Sequence, residues 1–377
     1  EHPSAPRRRT PPRIRRAGGF AGNRRPATAG HALHPRGVRT RSFHDGCGQI
    51  TVPAPGPGSW RLDGRVNLAH NYLHYLWRQK LKTQRDFERP NQADVLYQAT
   101  TGLIERAIER GIRDLVIVTA MYLQPNRIEL AKRAGIRVWL LCTESPYMMD
   151  DEFRLAALCN GVCTNERAAV PAFQAVQPNT AYLPHAYRLG VHDRVPDPSL
   201  SVPSADVLFV GSMFDERIAF LNAIDWSGID LHLYTNRQNL PRRSGLRRFL
   251  KGDVQPNELV QRLAQRSKIV LNLFRQASAP AESLNPRCYE MAAAGVCMVS
   301  DDRAELGQVL PMVPTFTSPE SCERVLRGLL ADDGLRQRIA ANARAAILPQ
   351  TWHARTEQIM RDLTQWSESM DMQRRSA

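Results

Sequence analysis

No stretch of the 377 residues approaches the roughly 18 to 20 consecutive apolar residues that a membrane-spanning helix needs. The seven cysteines form no Cys-x-x-Cys pair. Cys159 and Cys163 have no histidine or further cysteine close in sequence to complete a zinc site. Several cysteines lie in apolar runs, where a thiol behaves as a small hydrophobic group. We therefore expect a soluble protein of a reducing compartment, the cytoplasm.

Most of the excess of basic over acidic side chains lies in the first 60 residues. The formal net charge is +14, but residues 1–60 hold 11 arginines against two acidic residues, and the other 317 residues carry 40 basic and 35 acidic side chains. The same 60 residues contain 9 prolines and 9 glycines and almost no periodic apolar pattern, which predicts a disordered tail. It could be a basic arm for nucleic acid or another anionic surface, a flexible tail, or a segment outside the working protein. Because the remainder is only mildly basic, a nucleic-acid partner is not favoured.

Beyond the tail, short apolar runs alternate with stretches of helical spacing. This alternation is typical of parallel sheets with helical crossovers. The pattern predicts an α/β protein with two Rossmann-like domains that face a cleft, where ligands bind at the carboxyl ends of the strands. We expect a first domain over 61–195, a linker near 195–203, a second domain over 204–350, and a C-terminal helix and tail over 351–377. The clearest runs are Asp114–Thr119, Ile136–Cys142, Gly161–Thr164, Ala205–Val210, Ile229–Tyr234, Lys268–Phe274 and Val296–Ser300.

One helix in the second domain has both of its ends specified by the sequence. Asn285 suits the N-cap, Pro286 suits the first helical position, and Gly295 suits the left-handed residue that closes the helix. Glu282 precedes this helix and Glu290 lies within it, with seven residues between them. Carboxylates can accept hydrogen bonds from sugar hydroxyls, and a helix N-terminus attracts phosphate. The stretch predicts a site for a phosphorylated ligand that carries hydroxyl groups.

A second loop could contact the same anion. Gly211 and Ser212 follow the strand Ala205–Val210, and Arg217 comes one turn into the next helix. Arg287 is a further candidate near the start of the capped helix. The full Gly-x-Gly-x-x-Gly fingerprint does not occur, so a nicotinamide dinucleotide is not indicated.

The Glu-x7-Glu spacing before a helix that ends in Ala-Ala-Ala-Gly resembles the donor-site motif of retaining GT-B glycosyltransferases. The segments Asp206–Ser212, Asn285–Arg287 and Ser300–Asp301 resemble the CgeB-like glycosyltransferases, which include relatives encoded by actinobacterial phages. Three segments of the first domain resemble the same group: Thr143–Tyr147, Thr164–Arg167 and Leu183–Tyr187.

The resemblance implies a metal-independent, hexosyltransferase-like enzyme that takes a nucleotide-diphosphate sugar as donor and needs no cofactor. No Asp-x-Asp metal motif occurs, in agreement. Glu290 would hold the ribose, Glu282 would contact the donor sugar, and His185 and Glu144 would face the cleft from the first domain. The Gly211 loop would face the diphosphate with Arg217 or Arg287, and Ser283, Leu284 and Asn285 complete the donor site.

The start of the first domain departs from the resemblance. GT-B enzymes usually begin with a strand and a glycine-rich loop, whereas this chain has only Gln49–Val52 before a Pro- and Gly-rich stretch. Two alternatives therefore stand beside a glycosyltransferase with an unidentified protein, glycan or small-molecule acceptor. One is a non-catalytic protein that binds a nucleotide or nucleotide sugar, and the other is a DNA-modifying glycosyltransferase that uses the basic tail.

Overall fold

The computed structural model describes residues 49–53, 59–63, 104–118, 124–195, 201–253, 255 and 257–376. These all belong to one compact unit, Gly46–Ala377. Of the tail predicted over residues 1–60, residues 1–48 and 54–58 lie outside the described residues. The sequence also predicts a helix over 66–82 and a strand over 93–98, and both segments lie outside the described residues as well. Within the segment predicted as a tail, the structure has the strand β1 (Gln49–Pro53), which pairs antiparallel with β2 (Ser59–Asp63).

The N-terminal domain contains a four-stranded parallel sheet. Its strands are β3 (Asp114–Val118), β4 (Arg137–Cys142), β5 (Gly161–Thr164) and β6 (Thr180–Tyr182), and they lie side by side in chain order. Continuous burial along β4 and β5 agrees with their unbroken apolar sequences, as expected for strands covered on both faces. Residues 104–109 are helical, and the other α-helices are α1 (Pro125–Arg133), α2 (Met149–Ala156) and α3 (Val170–Val176).

The C-terminal domain contains a six-stranded parallel sheet in the order β12-β11-β10-β7-β8-β9. The chain runs outward from β7 through β8 to β9, returns to β10 beside β7, and continues outward on the other side. The strand order therefore reverses between β7 and β10, which is the topological switch point where ligands bind in open α/β sheets. The strands are β7 (Ala205–Val210), β8 (Leu231–Tyr234), β9 (Leu250–Gly252), β10 (Ser267–Asn272), β11 (Met298–Asp301) and β12 (Thr315–Phe316).

Helices cover both faces of this second sheet. Leu208 of β7 joins a buried cluster with one set of helices, and its neighbours Val207 and Phe209 join the cluster on the opposite face. The helices are α4 (Asp215–Asn222), α5 (Asn257–Gln265), α6 (Pro286–Ala293), α7 (Ala304–Val309), α8 (Pro319–Ala331) and α9 (Asp333–Ile347).

The last helix, α10 (Trp352–Ser376), returns to the N-terminal domain. Its Trp366 stacks on Trp139 of β4 with 6.0 Å between ring centres, and its Asp371 pairs with Arg137 at 3.2 Å. No helix among the described residues is long and apolar enough to cross a membrane.

The predicted fold class, two parallel-sheet α/β domains, is confirmed. Strand β2 was not predicted, and neither were three shorter strands, β6, β9 and β12, each of two or three residues. These three are too short to carry an apolar pattern of their own, and only their neighbours in the sheet define them. The basic stretch near 237–248 contains two 3-10 turns rather than an irregular loop.

Candidate functional site

Helix α6 begins and ends where the sequence predicts. The Asn285 side chain accepts a hydrogen bond from the Cys288 amide at 3.2 Å, Pro286 is the first helical residue, and Gly295 has a φ of 69°. Asn285 also donates through Nδ2 to Oδ1 of Asn272 at 3.0 Å, and Asn272 donates to Ser300 Oγ at 2.9 Å. The cap is thereby linked to the carboxyl ends of β10 and β11, so the helix N-terminus is fixed at the switch point.

Gly211 and Arg217 lie on the other side of the switch point. The Arg217 guanidinium donates to the carbonyl oxygens of Ser212 at 2.8 Å and Leu273 at 2.5 Å, and so joins the loop after β7 to the loop after β10. Burial lowers the pKa of Arg217, and its Nε is buried without a hydrogen-bond partner. A Cβ at Gly211 would meet only ordinary contacts, the nearest at 3.6 Å. The protein's own packing therefore does not require glycine at this position.

Glu290 faces two basic side chains. Its carboxylate lies 3.4 Å from Arg287 Nη1 and 3.9 Å from His192 Nε2, and its side chain is 13% exposed. No hydrogen bond to this carboxylate exists in the described part of the chain, and Arg287 Nη1 is buried without a hydrogen-bond partner. Glu290 thus combines nearby positive charge with unused acceptor capacity, which suits a ligand with hydroxyl groups.

The loop that carries Glu282 is held by two other carboxylates. The Glu282 and Ser283 amides donate to Glu166 at 2.9 and 3.3 Å, and the Leu284 amide donates to Glu305 at 2.7 Å. The Glu282 side chain itself has no ion pair or hydrogen bond to any residue that the structure describes, and it is partly exposed. Its backbone is therefore fixed while its carboxylate stays available.

His185 lies in a polar network at the edge of the N-terminal sheet. Asn165 accepts from the Ser145 amide at 3.2 Å and donates to the Ser145 carbonyl at 3.0 Å, which fixes the orientation of its amide group. The same Nδ2 lies 3.2 Å from His185 Nε2, so Nε2 is the acceptor and Nδ1 carries the proton. Burial, together with the charge of Arg355, lowers the pKa of His185 to about 4. His185 is therefore a neutral hydrogen-bond donor at pH 7.

Glu144 and Arg275 approach each other from opposite domains. Glu144 follows β4, and burial raises its pKa while the charge of Arg275 lowers it. The Arg275 guanidinium lies over the rings of Tyr147 and Phe214, 4.7 Å from each ring centre. It is exposed and has no hydrogen bond or ion pair with the described residues. Tyr147 also donates through its hydroxyl to the Arg275 carbonyl at 3.1 Å, which connects the two domains.

Sequence reasoning did not select Arg275, Arg303, Glu166 or Glu305. Arg303 donates to the carbonyls of Ala281 at 2.5 Å and Arg275 at 3.2 Å, beneath the Glu282 loop. All four follow a strand closely: Glu166 after β5, Arg275 after β10, and the other two after β11. Polar residues at the carboxyl ends of parallel strands are therefore the signal that could have identified them.

Residues 217–361 match a family model described as "Glycosyl transferase-like". No curated protein matches the sequence. Among solved structures, a trehalose-6-phosphate synthase studied for glycosyl transfer with retention superposes with a TM-score of 0.52 at 12% identity, covering 84% of this chain and 90% of the other. An E. coli structure described as "Trehalose-6-phosphate … bound with UDP-2-fluoro glucose" gives 0.52 at 14% identity, with 87% and 91% covered.

A protein from Listeria monocytogenes named as a UDP-N-acetylglucosamine 2-epimerase is also similar, with a TM-score of 0.50 at 10% identity and coverage of 81% and 94%. Identities this low establish a shared fold and do not by themselves choose an activity. The family match within the C-terminal domain and the two-domain fold together support a glycosyltransferase with the GT-B fold.

Proposed function

We propose that the protein is a metal-independent, hexosyltransferase-like enzyme that transfers a sugar from a nucleotide-diphosphate donor to an acceptor hydroxyl with retention. The observation that carries this proposal is the switch point between β7 and β10. Two carboxylates that accept no hydrogen bond from any described residue, Glu282 and Glu290, lie on either side of the capped N-terminus of α6 beside it. Hydroxyl acceptors on either side of a positive helix end suit a diphosphate joined to two sugars.

We assign protein groups to each part of the donor: the ribose, the diphosphate and the transferred sugar. Glu290 accepts hydrogen bonds from the ribose hydroxyls, since its acceptor capacity is unused and Arg287 stands beside it. The amide end of α6 and the guanidinium of Arg275 stabilise the diphosphate as it leaves. Glu282 positions the transferred sugar. The acceptor oxygen bonds to the anomeric carbon on the face from which the diphosphate oxygen departs, and the acceptor's proton passes to that oxygen.

His185 serves as a donor rather than a base in this scheme. Its Nε2 is occupied by Asn165, and its lowered pKa keeps the ring neutral, so the remaining Nδ1–H can donate to a sugar hydroxyl. Glu144 is the acceptor-side carboxylate. It accepts a hydrogen bond from the acceptor hydroxyl and orients it, while the proton itself passes to the departing diphosphate oxygen.

The finer assignments follow from the sequence. The quoted segments favour the CgeB-like group, of bacterial or phage origin, with an acceptor that is a protein, glycan or small molecule. The six described cysteines are buried free thiols, as in proteins of the reducing cytoplasm, where we place the enzyme. Neighbouring structures name UDP and UDP sugars, which makes UDP the first nucleotide to test.

Calorimetry with UDP and UDP-glucose, followed by an assay of donor turnover, tests the proposal. Binding together with turnover that Glu282→Gln removes supports a glycosyltransferase. Binding without any turnover would instead identify a nucleotide-sugar binding protein. Tight, salt-sensitive DNA binding that requires residues 1–60, with glycosylation of that DNA, would identify a DNA-modifying enzyme.

A further inference from the structure

Three consecutive backbone amides precede helix α6, and every one of them is bound by a carboxylate. Glu166 accepts from the first two: its Oε1 accepts from the Glu282 amide at 2.9 Å, and its Oε2 accepts from the Ser283 amide at 3.3 Å. Glu305 takes the third, the Leu284 amide, at 2.7 Å. Hydrogen bonds to an ionised acceptor are stronger than neutral ones. The loop therefore has a defined backbone despite its lack of regular secondary structure.

Each of these carboxylates is also tied to the N-terminal domain. Glu166 belongs to that domain, where its Oε1 accepts a further hydrogen bond from the Ala168 amide at 3.0 Å. Glu305 belongs to the C-terminal domain, but its Oε1 accepts from the Tyr182 hydroxyl at 2.5 Å and from the Arg167 guanidinium at 3.1 Å. Both carboxylate residues are only 2% exposed. The two domains thus hold the loop through reciprocal contacts.

Two further polar groups of the loop, the Ser283 hydroxyl and the Glu282 carbonyl, also form hydrogen bonds with these neighbours. The Ser283 hydroxyl accepts from the Arg167 amide at 2.9 Å and donates to the Tyr182 hydroxyl at 3.1 Å, so it too contacts the N-terminal domain. The Glu282 carbonyl accepts from the Glu305 amide at 3.0 Å. Separation of the domains would remove the partners of two amides and of one hydroxyl at once. Unpartnered polar groups are costly unless water replaces the lost partners, so the loop would rearrange.

We propose that Glu166 and Glu305 are positioning residues that fix the loop 282–284 only while the two domains are in contact. The proposal rests on the proposed role of Glu282 at the donor sugar. It couples that role to domain contact, because the Glu282 carboxylate has one defined position only when hydrogen bonds from both domains hold its backbone. An open enzyme would bind the nucleotide but hold the sugar loosely, which limits hydrolysis of the donor by water.

Together, Glu166 and Glu305 are called the clamp below. Amide hydrogen exchange of the full-length chain tests whether the clamp holds the loop 282–284, and the experiment needs no ligand. We compare the wild type with Glu166→Gln and Glu305→Gln, each of which removes the charge and replaces one acceptor oxygen by an NH2 group that donates and cannot accept. Glu323→Gln is the matched control, because Glu323 also accepts a distant backbone amide, that of Asp225 at 3.1 Å, and pairs with an arginine at 2.9 Å. If Glu166→Gln fails to fold, Tyr182→Phe replaces it, since the lost hydroxyl contacts both Glu305 and Ser283.

We expect exchange at residues 282–284 to accelerate by about tenfold or more in the clamp variants, with β7 and β10 unchanged and with no change in the control. Unchanged exchange at 282–284 would overturn the proposal. So would an equal acceleration throughout both sheets, because this would indicate general destabilisation rather than loss of a local clamp.

A kinetic measurement distinguishes positioning from simple structural support. With UDP-glucose as the probe, the clamp variants should lose about tenfold or more in kcat while the Kd for UDP stays within about twofold of the wild type. Equal losses in kcat and in UDP affinity would contradict a positioning role. Failure of the wild type to bind UDP or to turn over UDP-glucose would count against the proposed function, whereas the exchange experiment still decides on the clamp.

Discussion

The guanidinium of Arg275, in the C-terminal domain, lies 4.7 Å from the ring centre of Tyr147, in the N-terminal domain. The Tyr147 hydroxyl donates to the carbonyl of the same arginine at 3.1 Å. A cation at the topological switch point is therefore held in place by an aromatic side chain from across the cleft, with its hydrogen-bond donors directed to no described residue. This is the arrangement expected of a group reserved for an anionic ligand.

Arg275→Ala should weaken UDP binding by about tenfold or more, because a charge-assisted contact to the diphosphate is lost. The loss should shrink as ionic strength rises, since salt screens an exposed cation. Isothermal titration at two salt concentrations measures both effects. Arg248→Ala is the matched control, because Arg248 is also exposed and lies 4.6 Å from an aromatic ring centre, that of Phe249, but away from the switch point. Equal weakening in the two variants would contradict a specific role for Arg275.

Glu282→Gln should reduce turnover of a nucleotide sugar by at least about a hundredfold while leaving UDP affinity within about threefold of the wild type. The reason is that Glu282 is assigned to the sugar and not to the nucleotide, and that its backbone contacts are independent of its side-chain charge. Steady-state kinetics and calorimetry on the same preparation separate the two effects. Normal turnover in this variant would remove Glu282 from the mechanism.

Asn285→Ala should destabilise the protein by about 1 kcal/mol through loss of the N-cap and should also weaken UDP binding. The second effect is expected because Asn285 links the helix N-terminus to Asn272 at the switch point. Ser318→Ala removes the equivalent cap of helix α8, where Ser318 accepts from the Ser321 amide. Denaturant unfolding should give similar losses of stability for both variants, whereas only Asn285→Ala should change the affinity for UDP.

His185 gives the protein a specific sensitivity to acid. Burial and the charge of Arg355 lower its pKa to about 4 in the folded protein, from an ordinary value of about 6.5. The unfolded chain therefore takes up the proton first, so this contribution to stability is complete above about pH 6.5 and is lost as the pH falls from there toward 4. Three buried carboxyls act in the opposite direction and favour the folded state as the pH falls, because burial raises the pKa of each one and favours its neutral form. They are Glu144, Glu152 and Asp301.

Comparison with His185→Gln isolates the histidine, because the carboxyls are common to both proteins. The difference in Tm between wild type and variant should narrow as the pH falls from 6.5 to 4. His353→Gln, on the exposed face of α10 with 76% side-chain exposure, should retain the wild-type profile. A Tm difference that stays constant across this range would show that His185 is not the group responsible.

Much of the fold could be predicted because the decisive signals are local. The strands Ala205–Val210 and Gly161–Thr164 are bounded where their apolar runs are bounded, and the ends of α6 follow from the chemistry of Asn285, Pro286 and Gly295. These features depend on side-chain burial and backbone capping within a few residues. The reversal of strand order that creates the switch point depends instead on how distant strands pair, and hydropathy does not specify it.

The sequence predicts donor-side roles for Glu282 and Glu290, and these stay predictions, whereas it does not predict the contacts between the domains. Glu282 and Glu290 stand out from their sequence surroundings, but Glu166 is separated from Glu282 by 116 positions and meets it only in the folded protein. The role first given to Arg217 also changes, because two of its donor groups hold backbone carbonyls instead of remaining free for an anion. Tertiary structure determines which groups form hydrogen bonds with these side chains and how deeply the side chains are buried, and the local sequence does not.

Thermal stabilisation by nucleoside diphosphates and nucleotide sugars, compared between the wild type and Glu290→Gln, tests the central claim most directly. A ligand that binds only the folded state raises Tm by an amount that grows with the logarithm of its concentration relative to its Kd, whatever the acceptor is. At least one nucleotide or nucleotide sugar should raise the Tm of the wild type, and the increase should be lost in Glu290→Gln but kept in Glu323→Gln. Absence of any increase across uridine, guanosine, adenosine, cytidine and thymidine donors, or an increase that persists in Glu290→Gln, would contradict the account.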